Sequence, residues 1–313
     1  MTELPSSLVP IKQFLSFGSF AFALYNGRMV FAILFVFGLC VGSFLNVIAL
    51  RYDGEHFLFD PAMIGGRSRC PKCGRQLRWF ELIPVVSFVL QWARCRTCKD
   101  RIGFQYPVVE LLTGVLFAAV PARLMGTLPA YTVPLGIFAG LWVLVFLFLI
   151  LVSYVDIRLG IIPDECHVML AILAVALALV SALYFGPANH SYLGLYAWIL
   201  GLQGSVWVAH LTGAVFGFAF FEALVLVTRG RGMGMGDVKL ALPLGFLFGW
   251  PDILAVFGSA FVIGALAGTV GIALGRKTMK ATLPFVPFLA VGSAVVFFWG
   301  SMLVGWYVKL LGM

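Results

Sequence analysis

Eight apolar stretches follow one another along this chain, at about 29–50, 107–120, 135–155, 167–185, 206–227, 238–250, 253–274 and 285–307. A helix needs about 20 apolar residues to cross a bilayer, and most of these stretches reach that length. Repeated runs of this kind leave a water-soluble fold too little polar surface to cover its core. Hydrophobic residues make up 62% of the chain and charged residues 11%, where a soluble domain has roughly 45–50% and 25%. The expected fold is an all-α polytopic membrane protein with about eight transmembrane helices.

One long hydrophilic segment interrupts the series, residues 51–105, and it carries ten Lys/Arg. If the first span runs inward, seventeen of the 21 Lys/Arg fall on the cytoplasmic side; Lys12, Arg28, Arg123 and Lys309 remain outside. The positive-inside bias therefore places this segment in the cytoplasm and the N-terminus outside. The formal charge of +8 follows from that rule, so nucleic acid is not expected as a partner; anionic membrane lipid is attracted to the same face. The short apolar run at 14–25 has only Lys12 before it and no small-x-small cleavage site after it. It reads as an interfacial segment that stays attached.

Within the segment, Cys70-Pro71-Lys72-Cys73 and Cys95-Arg96-Thr97-Cys98 form two Cys-x-x-Cys knuckles with 21 residues between them. This spacing is close to that of structural zinc sites, and four thiolates on two tight turns suit a tetrahedral ion. A segment with little core of its own gains folding energy from the metal. The alternative is two disulfides or four free thiols, and a cytoplasmic location argues against the disulfides. Cys40 and Cys166 have no matching partner and read as small packed hydrophobes. The expectation is a small zinc-ribbon-like insertion after the first helix.

Ionisable groups at membrane depth are costly and point to function. Glu110, Asp156, Asp164, Glu222 and Asp237 qualify. Each has a bland alternative: Asp237 as a helix cap, Asp156 as a span terminus paired with Arg158, and Asp164 as a first-turn charge favoured by the helix dipole. Taken together they read differently. Asp156 and Asp237 fall at cytoplasmic ends of spans, and Gly232, Gly234 and Gly236 ahead of Asp237 permit unwinding and close approach. Two aspartates in a partly dry site share a proton, which is the chemistry of an aspartic peptidase. Glu222 and His210 read as packing or interhelical partners.

The ordered motifs resemble those of type IV prepilin leader peptidases, bifunctional membrane enzymes of the GxGD aspartic peptidase group. They run from Gly42-Ser43-Phe44-Leu45-Asn46-Val47 through both knuckles, Leu77, Glu81, Ile83-Pro84 and Ser87, to Tyr106-Pro107-Val108-Val109-Glu110. Asp156, Ile162-Pro163-Asp164, Gly234-Met235-Gly236-Asp237-Val238-Lys239-Leu240 and Pro284-Phe285-Val286-Pro287-Phe288 continue the series. The resemblance implies that Asp156 and Asp237 are the catalytic pair, with Gly234, Gly236, Lys239 and Asp164 in support. It also implies removal of a short basic leader from prepilin or pseudopilin precursors at the cytoplasmic face of a bacterial inner membrane. N-methylation of the new terminus with S-adenosylmethionine follows by the same resemblance, although no residue pattern marks a methyl-donor pocket. Three positions depart from the family pattern: Ala93 and Val286 stand where glycine is usual, and Arg51-Tyr52-Asp53 stands for Arg-x-Pro.

The implied organisation is an interfacial segment at 1–27, a first transmembrane helix at 28–50, a four-cysteine zinc-binding domain at 51–105 and a membrane peptidase domain at 106–313. Two other classes compete with this reading. A proton- or ion-coupled transporter would use Asp156, Asp164 and Glu222 as its path, and a membrane-anchored zinc adaptor would use the cysteine segment without catalysis.

Overall fold

A computed structural model describes residues 27–126, 132–184, 191–194, 205–230, 232–275 and 283–310. The interfacial segment expected at 14–25 lies outside the described residues. The helices are α1 (Gly27–Arg51), α2 (Pro61–Ile64), α3 (Val86–Leu90), α4 (Gln105–Met125), α5 (Thr132–Leu159), α6 (Asp164–Tyr184), α7 (Val206–Thr228), α8 (Met235–Phe248), α9 (Asp252–Ala273) and α10 (Val286–Leu310), with a 3₁₀ turn at Trp79–Leu82. Among the described residues, extended pairing is limited to two isolated bridges. Among the described residues, seven helices are long and apolar enough to cross a membrane: α1, α4, α5, α6, α7, α9 and α10. The protein is a multi-pass membrane protein, with a cluster of Cys70, Cys73, Cys95 and Cys98 following the first span.

The eighth apolar stretch, 238–250, is helical but short: α8 has 14 residues, or about 21 Å at 1.5 Å per residue. Its neighbour α7 packs closely along it. Gly213 and Gly217 of α7 lie against α8 so closely that an added Cβ would come within 2.7 Å of Gly249 Cα or of the Ala241 carbonyl. These pairs fix an antiparallel register, and extending it four residues along each helix sets Asp237 level with Phe221. That is seven residues, about 10 Å, inside the end of α7 at Thr228. The described residues between the two helices, 229–230 and 232–234, are not helical. Arg229 and Gly230 turn it with φ of 51° and 71°, and an extended Gly234 caps α8. Irregular backbone at membrane depth is tolerated where protein or a cavity surrounds it.

The chain divides into two compact units. In the unit formed by residues up to Ser43 and Arg78–Ala122, Gly38 and Gly42 bring α1 onto α4. An added Cβ would sit 2.7 Å from the Thr113 carbonyl or 2.8 Å from Glu110 Cα, the close approach that small residues give membrane helices. In the unit formed by Phe44–Leu77 and Arg123 onward, α5 is the central helix. Val145, Leu149, Val152 and Val155 are fully buried along one face of it. Around α5, the rings of Trp142, Phe146, Tyr192, Phe248 and Phe297 pack at centroid distances of 4.6–6.0 Å.

Candidate active site

Asp156 continues the buried face of α5 and is itself 8% exposed. Three residues later the helix stops, because Gly160 takes φ +67° and its N–H returns to the Asp156 carbonyl at 2.9 Å; glycine adopts this left-handed C-terminal geometry without the Cβ clash other residues meet. Ile161 and Ile162 then lead to Pro163, which ends the linker and precedes the first turn of α6. The tight connection leaves Asp156, Asp164 and Glu165 at one end of the helix pair.

These residues line a cavity of about 660 Å³ together with Gly234, Met235, Gly236, Asp237 and Lys239. All six of the expected catalytic and supporting residues are present: Asp156, Asp237, Gly234, Gly236, Lys239 and Asp164. The two aspartates come from α5 and α8, eighty-one positions apart in sequence, and both line this one cavity. One Asp156 oxygen accepts the Val286 N–H at 3.3 Å. That donor is available because Val286 opens α10, where the first N–H groups have no intrahelical acceptor.

Three contacts hold the first turn of α8 against the start of α6. A Cβ on Gly236 would lie 3.2 Å from the Ile162 side chain, so the glycine lets backbone and side chain meet. His167 Nε2 donates to the Gly236 carbonyl at 3.2 Å. Lys239 Nζ donates to Asp164 at 2.7 Å; both groups are exposed, so this pair orients more than it stabilises.

The segment after α1 closes another side of the cavity, through Tyr52, Gly54, Glu55, His56 and Phe57. Asp53 organises it: one oxygen accepts the N–H groups of Glu55 and His56 at 3.0 and 3.1 Å, and the other meets His56 Nδ1 at 2.7 Å. These bonds hold the Asp53 carboxyl down to about 2 and raise the His56 imidazole above its usual range. A proline two residues after Arg51 would bend the backbone covalently; here an Asp side chain bends it by hydrogen bonding. Arg158 fastens the same segment, donating to the Ala49 and Tyr52 carbonyls at 2.6 and 2.5 Å and also to Leu50. Those are carbonyls a helix C-terminus leaves unpaired, and Arg158 is engaged there.

His167, the Val286 N–H and the 52–57 segment escape a reading of sequence alone. No periodicity links Tyr52 to Asp156, and a backbone donor leaves no compositional trace. The remaining membrane acids lie elsewhere. Glu110 accepts the Val85 N–H at 2.7 Å, and Glu222 of α7 does not line the cavity. His210 donates to the Phe246 carbonyl, joining α7 to α8.

The cysteine knuckles repeat one local structure. In the first, Gly74 N–H returns to the Cys70 carbonyl at 2.9 Å, Gly74 has φ +69°, and Arg69 pairs with Gln76. In the second, Lys99 N–H returns to the Cys95 carbonyl at 3.0 Å, Lys99 has φ +60°, and Arg94 pairs with Arg101. A lysine held in the left-handed region where its counterpart is glycine shows that the turn is maintained against backbone preference. Each knuckle buries its first cysteine and exposes its second, and the four together could hold a metal ion. The all-thiol donor set fits a closed structural zinc site.

Residues 36–124 match the bacterial peptidase A24 N-terminal domain, and residues 143–269 match the type IV leader peptidase family. The chain belongs to the type IV leader peptidase family. It is 33% identical over 279 residues to a prepilin leader peptidase/N-methyltransferase of Bacillus subtilis, covering 89% of this chain and 98% of that one. Proteins of the same name from Burkholderia pseudomallei, 32% identical over 90% of this chain and 89% of theirs, and Pseudomonas aeruginosa, 30% identical over 88% and 92%, are also similar. No solved structure matches the chain.

Two departures from the leader peptidase pattern now have a local account. Ala93 has φ +53°, directly after Trp92 at +52°, so the usual glycine is the residue this backbone prefers. Val286 is fully buried and uses its backbone N–H, which leaves its side chain free to fill the core.

Proposed function

We propose that this protein cleaves the short basic leader from type IV prepilin-like precursors and N-methylates the new N-terminus, with Asp156 and Asp237 as the catalytic pair. The observation that carries the reading is the convergence of these two carboxylates, from α5 and α8, on one cavity. The printed name of relatives that match nearly the whole chain favours it over the transporter and adaptor readings. One aspartate takes a proton from water as the oxygen attacks the scissile carbonyl, while its protonated partner donates to the carbonyl oxygen. The tetrahedral adduct then expels the amine, which leaves protonated, giving a free carboxylate on the leader. The Val286 N–H holds Asp156 in place, and the open backbone at Gly234, where an added Cβ would meet nothing nearer than 3.9 Å, leaves room for an extended peptide.

Zinc at Cys70, Cys73, Cys95 and Cys98 supplies folding energy to the cytoplasmic segment. S-adenosylmethionine supplies the methyl group for the exposed amine. The distribution of Lys and Arg supports a cytoplasmic segment 51–105 in a bacterial inner membrane. The deciding experiment incubates purified protein with a prepilin and follows mass with and without S-adenosylmethionine. Leader loss should occur in both, with a further gain of one methyl group's mass only when the donor is present. Asp156→Asn and Asp237→Asn should each abolish leader loss in a protein that still inserts and folds; substantial cleavage by either variant removes the catalytic assignment.

A further inference from the structure

The segment 51–105 is hydrophilic in composition, yet its second half presents a concentrated apolar face. Trp79, Val89, Leu90, Trp92 and Phe104 are each 64–85% exposed, and α3, the sequence Val86-Ser87-Phe88-Val89-Leu90, buries none of its residues. A water-facing domain rarely shows so many large apolar side chains together. Their position supplies the reason. Val85, directly before α3, donates its N–H to Glu110 of α4 at 2.7 Å. Glu110 is five residues, about 8 Å, inside a helix long and apolar enough to span the membrane, and Phe104 immediately precedes that helix. The bond therefore fixes α3 alongside the first turns of a span rather than out in water.

The sequence ends of the face have the matching chemistry. Trp79 and Trp92 flank it, and indoles concentrate where acyl chains meet headgroups. Arg78, Arg94 and Arg101 are exposed around it and suit lipid phosphates. Val85, bent to φ +59°, turns the chain at that depth, and Glu110 satisfies a backbone N–H that acyl chains could not.

We propose that residues 79–92 form an interfacial anchor lying in the headgroup–acyl boundary of the same membrane the spans cross. Its partner is the lipid surface, with the apolar face of α3 toward the acyl chains and the arginines toward anionic headgroups. The anchor would hold the second cysteine knuckle, which begins at Cys95, against the membrane.

Depth-resolved fluorescence of the full chain in phosphatidylcholine–phosphatidylglycerol vesicles tests this. The chain has 8 tryptophans, so the signal of interest is the difference between the wild type and a Trp79→Phe/Trp92→Phe variant, which keeps the apolar character. The difference emission should be blue-shifted and poorly quenched by acrylamide. It should be lost more strongly with lipids brominated near the headgroup than with lipids brominated near the chain end. Val89→Asp should weaken the lipid quenching. Difference emission quenched by acrylamide but not by brominated lipid would mean that the face meets water. Insensitivity to both would mean that protein covers it, whether a second copy or another chain. Either result overturns the proposal.

Discussion

His167 donates from Nε2 to the carbonyl of Gly236 at 3.2 Å, one residue before Asp237. The carbonyl accepts, so the proton sits on Nε2 and Nδ1 faces Asp164 at 3.6 Å. Through this bond the first turn of α6 reaches the backbone that carries one of the proposed catalytic carboxylates, while α6 itself follows closely on Asp156.

His167→Leu should therefore lower kcat for leader cleavage more than it changes KM. The loss should be about fivefold to tenfold, on the order of 1 kcal/mol for one neutral hydrogen bond. Gln can place an amide donor near the Nε2 position, so His167→Gln should recover most of the rate. Equal losses in the two variants would assign His167 to packing alone. Steady-state kinetics on one prepilin checks both.

A stability prediction comes from Ala93, whose φ of +53° places a Cβ where only glycine is comfortable. Ala93→Gly should stabilise the cysteine segment by about 0.5–1 kcal/mol, the left-handed penalty less the added flexibility of the unfolded chain. Limited proteolysis of the segment, compared between the two proteins, reads the difference. Faster digestion of the glycine variant would show that the alanine methyl makes contacts worth more than the strain.

How much of this was legible in advance depended on whether the determining signal was local. Apolar runs announced about eight spans, and seven of those runs are span-length helices among the described residues, because a helix in lipid satisfies its own backbone, so length and composition suffice. The length of α8 was not legible: it ends at an extended Gly234 and at Gly249 with φ 71°, and the apolar run at 238–250 says nothing of where the preceding chain unwinds. Asp156, Asp237 and their glycines could be named because the motif surrounds them. His167 could not, since its role exists only through a carbonyl 69 positions away. The segment at 51–105 is hydrophilic as a whole because its arginines and its exposed tryptophans are interleaved in sequence, and the exposure of Trp79 and Trp92 is visible only in the structure.

Metal analysis of the purified protein should return one zinc per chain. Cys70→Ser and Cys95→Ser, at the buried positions of the two knuckles, should each lose the metal and make the segment protease-sensitive, because four thiolates close the site and three leave it open. A protein free of zinc and of any other thiophilic metal, yet equally protease-resistant, would leave the repeated turn geometry without this explanation.

The two proposed activities should separate. Cleavage needs the carboxylates of the cavity, whereas methyl transfer acts on an amine that exists only after cleavage and requires a donor that those carboxylates do not bind. Residues 51–105 are the one long hydrophilic segment of the sequence, so the donor is expected there or where the segment joins the spans. Asp237→Asn, inactive in cleavage, should therefore still methylate a pre-cleaved substrate with a free N-terminus. Substitutions of Glu81, which accepts the Arg78 N–H at 2.8 Å, or of Arg94 should depress methylation more than cleavage. Mass spectrometry of both products from one substrate measures this. Strictly proportional loss of the two activities across all such variants would mean one shared site, with the cysteine segment serving only as its scaffold.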